Sequence, residues 1–275
     1  MAILVTGAGG LVGRAAVAAL LEQGVEHVRA VVRGPAPAGD LRRLGAKVAV
    51  MDATDPDGLE AAMTGVFTAC SLTGSLWTRP GEDPFTAVVG PARVFLAAAA
   101  RAGVRRVVVC SPQGAGLAGA NRHLAAKAEV ERMVAASGLE HAILRSTHVL
   151  GPGGRLLALL EGIEPLPGSG RQRVAPVWVG DVARAIALAD EAAELRATWS
   201  LAGPDELGLD ELVDALHAAR WQRDGDADRP LADGLTPSQL GILAADSLPD
   251  PSLPAPPGLV PTPLAETLAR SLGAE

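Results

Sequence analysis

The chain has 275 residues, is 48% hydrophobic, and carries 24 basic against 31 acidic residues for a formal charge of −7. That is enough apolar content for one large domain plus a smaller lobe, and the acidic balance argues against nucleic acid or anionic membrane surfaces as partners. No apolar run reaches the roughly 18 residues of a membrane span, and the two cysteines, Cys70 and Cys110, suit small buried side chains in a reducing compartment, so a cytoplasmic protein is expected.

Ala2–Thr6 reads as a strand, too short and too uncharged in its flank for a leader, running into a glycine loop. Residues 11–23 read as a helix stopped at Gly24. Strands are predicted over 28–32, 47–51 and 66–71, with a short helix over 59–63. A long alanine-rich helix follows over 84–102, then a strand over 106–110, a helix over 123–136 and a sixth strand over 141–145. Continuous apolar strands alternating with helices predict a parallel sheet covered on both faces, a Rossmann-type doubly wound α/β fold. The arginine pairs Arg42-Arg43 and Arg105-Arg106 read as solvated loop and strand-edge groups.

Past residue 150 the pattern loosens. Gly151-Pro152-Gly153-Gly154 is a turn and 155–161 a short helix; 174–179 reads as a strand, 181–190 as a helix, 199–201 as a strand and 209–219 as a helix. Thr236-Pro237 is a cap with proline at the first helical position. Residues 247–263 hold seven prolines and predict an extended strap over the surface, before a last helix, Leu264–Leu272. The expected division is a cofactor-binding domain over 1–150 and a smaller mixed α/β substrate lobe over 151–275.

The strongest motif is Gly7-Ala8-Gly9-Gly10-Leu11-Val12-Gly13 between the first strand and helix. Gly7 permits a tight turn, Gly10 lets the backbone approach a pyrophosphate, and Gly13 lets the helix sit close to the sheet; the helix N-terminus offers free N–H groups to phosphate. The spacing is G-x-x-G-x-x-G, with Val12 where the usual dinucleotide fingerprint has its last glycine.

This loop resembles the phosphate loop of the extended and atypical short-chain dehydrogenases/reductases. Leu144–Pro152 (Leu-Arg-Ser-Thr-His-Val-Leu-Gly-Pro), Pro176-Val177-Trp178-Val179-Gly180-Asp181-Val182-Ala183 and Leu201-Ala202-Gly203-Pro204 are similar to that superfamily's downstream stretches. Within it the chain resembles NmrA-like and triphenylmethane-reductase-like NAD(P)H-binding proteins and the complex I nucleotide-binding subunits, over about residues 2–210.

The coenzyme's form is read at the end of the second strand, where Arg33 stands in place of the acidic residue that accepts from the ribose of NAD. A carboxylate would repel a 2′-phosphate, whereas a guanidinium holds one with bonds worth roughly 1.5–3 kcal/mol, so NADP(H) is expected. Arg14 lies within reach of the same phosphate. The resemblance places Asp52 and Ala53 against the adenine, Ser71, Leu72 and Thr73 beside the pyrophosphate and nicotinamide ribose, and His148 near the nicotinamide. It also implies a catalytic Ser-Tyr-Lys set. Ser111 and Lys127 match it, but the chain has no tyrosine; His123 stands four residues before Lys127, on the same helix face. Two readings follow: His123, expected to titrate near neutrality, or Ser111 relaying from water supplies the proton; or the helix has no acid–base role and Lys127 simply holds the ribose. Trp77 and Phe85, with His148, are the expected substrate contacts. No metal-ligand spacing occurs. These readings lead to an NADPH-dependent reductase of a small organic acceptor, a monomer or homodimer, with a non-catalytic NADP(H)-binding redox sensor or scaffold as the alternative.

Overall fold

The computed structural model describes residues 1–74, 82–117, 121–193, 195–224 and 235–273. The first half alternates strand and helix: β1 (Ala2–Thr6), α1 (Leu11–Glu22), β2 (His27–Val32), α2 (Ala38–Leu44), β3 (Lys47–Val50), α3 (Pro56–Met63), β4 (Thr68–Ser71), α4 (Pro84–Arg101), β5 (Arg106–Pro112), α5 (Arg122–Ala136) and β6 (Glu140–Ser146). The remainder comprises β7 (Val149–Leu150), α6 (Arg155–Gly162), β8 (Arg173–Val174), β9 (Val177–Trp178), α7 (Val179–Glu191), β10 (Arg196–Leu201), β11 (Leu207–Gly208), α8 (Leu209–Asp224), α9 (Pro237–Leu243) and α10 (Leu264–Leu272).

The central sheet has seven parallel strands in the order β10-β6-β5-β4-β1-β2-β3. Side chains alternate across it: Ile3, Val5, Cys70 and Val108 pack beneath α1 and α7, while Leu4, Ala69, Val107 and Val109 pack beneath α3, α4 and α5. Both faces are therefore covered, as the unbroken apolar strands require, and the doubly wound α/β expectation is borne out. The chain leaves β1 toward β2 and β3, then returns to β4 on the other side. That reversal opens a crevice at the carboxyl ends of β1 and β4, where such sheets bind ligands.

The sheet layer continues beyond residue 150. Strand β10 adds to β6 along its whole length, and α7 packs against α1. A separate apolar cluster (Leu157, Leu160, Leu212, Leu216, Leu268) joins α6, α8 and α10 in the second half.

Three local readings needed correction. Helix α2 was not expected; with no side-chain cap, it is fixed by burial of Ala38 and Leu41. The strand expected over 174–179 is divided at Pro176, which has no N–H to give a ladder: β8 pairs with β11 and β9 with β7. Arg106 is not solvated but 1% exposed, and its guanidinium donates to the carbonyls of Ala189, Asp190 and Ala192 at the end of α7 and to Glu140. It caps a helix C-terminus, where cations belong.

The proline-rich segment forms no helix but is not extended throughout, with turns over 250–253 and 256–259, and it is tied at both ends. Ala175 N–H donates to Ser247, Ser200 N–H to Pro254 and Ser247 N–H to Arg173. Near its exit, Thr262 donates its N–H and hydroxyl to buried Asp181, at 2.7 and 2.9 Å.

Candidate cofactor and active site

The glycine turn occupies the crevice's first wall. Gly7 sits at φ +69°, in the left-handed region, and a Cβ there would stand 2.6 Å from the Leu72 carbonyl oxygen. A Cβ on Gly13 would stand 2.2 Å from Gly7 O and 2.7 Å from Ala8 Cα. These two glycines close the turn against α1 and against the loop after β4. Gly10 is different. It is exposed, and a Cβ there would approach only Gly7 O, at 3.4 Å. It is also the N-cap of α1 and supplies no side-chain cap, so the first-turn N–H groups, from Leu11 onward, have no side-chain acceptor at that cap. A phosphate fits such a terminus. Gly9 faces the Pro37 ring.

At the end of β2, Arg33 is exposed and makes no ion pair among the described residues. Arg14 leans over the glycine turn, donating from Nε to Gly9 O at 3.2 Å, with Asp40 3.9 Å away. Asp52 is exposed at the end of β3, its carboxylate accepting from the N–H and hydroxyl of Thr54 at 2.8 Å, with Ala53 half-buried beside it.

The second wall is the loop after β4. Leu72 N–H donates to Thr6 O, and the Ser71 and Thr73 hydroxyls lie 3.2 Å apart. Gly74 follows at φ +77°, and a Cβ there would stand 3.5 Å from Lys127 Nζ. Lys127, on α5, is 8% exposed and donates to the Cys110 carbonyl at 3.4 Å. A small pocket lined by Ser71, Thr73, Val88, Cys110, Lys127 and Val130 opens here. The fold thus joins Gly7, Leu72–Gly74 and Lys127 in one continuous wall.

Burial drives the Lys127 ammonium down to about 8, against the raising effects of Cys110 and Glu131. Burial pushes the Cys110 thiol up to about 12. His123, one turn before Lys127, is held down to about 4 by burial and then by the Lys127 charge. The expectation of a neutral-range imidazole is therefore corrected: low-dielectric surroundings keep it uncharged at pH 7. Its Nδ1, Ser111 Oγ and His148 Nε2 are buried without hydrogen-bond partners, and burial holds His148 down to about 4. Ser111 lies at the end of β5, and His148 two residues past the end of β6, the strand paired with it. Phe85, in the first turn of α4, is 37% exposed. Trp77 lies outside the described residues.

Sequence reasoning missed the pocket walls Val88, Cys110 and Val130, and missed Glu131 and Arg145. Glu131, four residues after Lys127, accepts three hydrogen bonds from Arg145 at 2.7–3.3 Å. Its i, i+4 spacing from Lys127 was the available signal.

Comparison with known proteins shows the family and the fold. The model of an NAD(P)H-binding family matches residues 7–191, which bears out the resemblance of the glycine loop. A 3-diazoavenalumate denitrifying reductase from Streptomyces sp is 31% identical over 257 residues, covering 80% of this chain and 79% of that protein. The mitochondrial NADH dehydrogenase [ubiquinone] 1 alpha subcomplex subunit 9 of Arabidopsis thaliana is 29% identical over 185 residues, 62% of this chain; the chain spans only 46% of that protein. The crystal structure of Citrobacter sp. triphenylmethane reductase superposes with a TM-score of 0.73 at 20% identity, covering 99% of this chain and 100% of that one.

Proposed function

The chain belongs to the NAD(P)H-binding family, and from that premise we propose that it is an NADPH-dependent reductase of a small, electron-poor organic acceptor such as a quinone, an enone or a conjugated imine. The observation that carries the reading is the wall from Gly7 through Leu72–Gly74 to the buried ammonium of Lys127. It joins a phosphate-fitting helix terminus to a buried cation at a small pocket whose lining includes the Ser71 and Thr73 hydroxyls.

Gly9, Gly10, Leu11, Val12 and Gly13 would present backbone to the diphosphate, and Arg33 with Arg14 would hold the 2′-phosphate. Asp52 and Ala53 would border the adenine, while Ser71, Leu72, Thr73 and Lys127 would hold the nicotinamide ribose. When bound, the coenzyme supplies the hydride. The acceptor takes two electrons with that hydride and one proton from solvent. Because His123 is uncharged at pH 7, water passing the Ser111 hydroxyl is the better proton source. Without a phenol, positioning and exclusion of water by Phe85 and His148 supply most of the rate. The lack of tyrosine disfavours alcohol oxidation and sugar epimerisation, which need a strong base at that point.

Calorimetry should show NADPH binding tighter than NADH. NADPH oxidation should be detectable with at least one member of a panel of quinones, enones, imines and, following the Streptomyces relative's name, a diazo compound. Bound coenzyme with silence across that panel would favour the second reading, a redox sensor or scaffold. The plant mitochondrial subunit and the absent phenol support that reading. Failure to bind either coenzyme would end both.

A further inference from the structure

Helix α5 carries His123, Lys127 and Glu131 at successive i, i+4 positions, all buried, so the three side chains share the face turned to the sheet. Glu131 is 8% exposed. It is held by Nε and Nη2 of Arg145, at the end of β6, and the same guanidinium has Asp250 of the proline-rich strap 3.6 Å away. We propose that Glu131 is a positioning residue, the counter-charge of the Lys127 ammonium, held in register by Arg145. This rests on the reading of Lys127 as the ribose-binding cation.

The groups around Lys127 leave little alternative. Strand β5 contributes Cys110, α5 contributes His123 and Glu131, and the pocket's remaining walls on β4, its following loop and α4 are hydroxyls and apolar groups. Cys110 raises the Lys127 value, but its own thiol is pushed up to about 12, so it is still protonated while Lys127 titrates near 8. A protonated thiol carries no charge to offset an ammonium. His123 is neutral over the same range. Glu131 is then the anion that opposes desolvation of Lys127. Arg145 stops that carboxylate from turning back over the lysine, so the ammonium keeps its donors for the pocket and for Cys110 O.

The chain has only two lysines, which makes the test direct. Exposed Lys47 on β3 serves as the internal reference for competitive acetylation of intact, coenzyme-free protein across pH 6–10, read by peptide mass spectrometry. Lys127 should show a midpoint near 8. Glu131→Gln should move the Lys127 midpoint down, and a fall of about 0.5 in pH would raise the free amine at pH 7 about threefold, while Glu131→Asp returns it toward wild type. If Glu131→Gln leaves too unstable a protein, the double variant Glu131→Gln/Arg145→Met removes both partners, leaving only part-exposed Asp250 of the strap without its arginine, and should show a smaller fall, because a positive charge leaves with the negative one. A purely structural role predicts the opposite sign, because loosened packing rehydrates Lys127 and raises its midpoint. An unchanged or raised midpoint in either variant overturns the proposal. In a parallel arm, NADPH should protect Lys127 but not Lys47. Lack of protection would count against the coenzyme reading, leaving the midpoints to judge Glu131.

Discussion

Two glycines six residues apart in one turn perform the same task, and a third between them does not. Gly7 and Gly13 have backbone where a side chain would go, whereas at Gly10 only Gly7 O comes near, at 3.4 Å, an ordinary contact. Gly13→Ala should therefore destabilise the protein by about 1–3 kcal/mol through overpacking, visible in thermal unfolding without coenzyme. Gly10→Ala should change stability by less than about 0.5 kcal/mol yet weaken coenzyme binding in calorimetry, because its new methyl group faces the ligand side. Equal stability losses in both variants would mean that Gly10 is structural too. At the end of β2, Arg33 is exposed without an ion-pair partner among the described residues. Arg33→Asp should shift preference toward NADH by about one to two decades, and unchanged NADPH affinity would remove the assignment. Arg14 is the weaker candidate because Gly9 O and Asp40 already engage it.

Among the elements, α5 carries most of the candidate chemistry, and its start is fixed by Asn121. That side chain accepts from the N–H groups of His123 and Leu124 and donates to the Ser238 carbonyl at 3.0 Å, tying α9 to the site. Asn121→Ala should cost about 1 kcal/mol as a lost cap, a fall in Tm of about 2 °C or more. Asn121→Asp keeps the cap but loses the donor to Ser238, so a larger fall in the alanine variant separates the two contributions. Elements with strong local signals were legible in the sequence: β1 with its glycine turn, α4 between Pro84 and Gly103, and α9 from Thr236-Pro237, whose capping box with Gln239 forms. Helix α2 was not legible, because Gly39 and the prolines before it read as loop while its burial against the sheet is a tertiary effect. The role of Arg106 was equally hidden. Its partners lie more than eighty residues away on α7, and no local pattern announces a cap supplied across the fold. The Glu131–Arg145 pair needed the register of α5 against β6 before it could be seen.

For the whole molecule, the two buried imidazoles set how the fold answers to acid. His123 and His148 are both held down to about 4 in the folded protein, against an ordinary 6.5. Between those values the unfolded chain binds more protons than the folded one, so stability falls as pH drops from 6.5 toward 4, and neither group contributes above that window. Asp83, Asp250 and Glu140, held below their usual values, act with the same sign. They act lower, near and beneath pH 4, and weakly, because solvent screens them. Lys127 and the two buried cysteines titrate only in the alkaline range, which leaves the acid limb to the imidazoles. By pH 5 each should have withdrawn on the order of 2 kcal/mol, so Tm should decline steeply between pH 6.5 and 5 and be flat from 6.5 to 7.5. Replacing one histidine, as His123→Gln or His148→Gln, should reduce that slope by about half, and replacing both should nearly abolish it. A double variant with the wild-type acid slope would place the proton uptake elsewhere and show that these imidazoles are hydrated in solution. The same desolvation that makes His123 costly in acid keeps it uncharged beside Lys127 at pH 7, so the acid sensitivity of the fold and the charge state of the site have one physical cause.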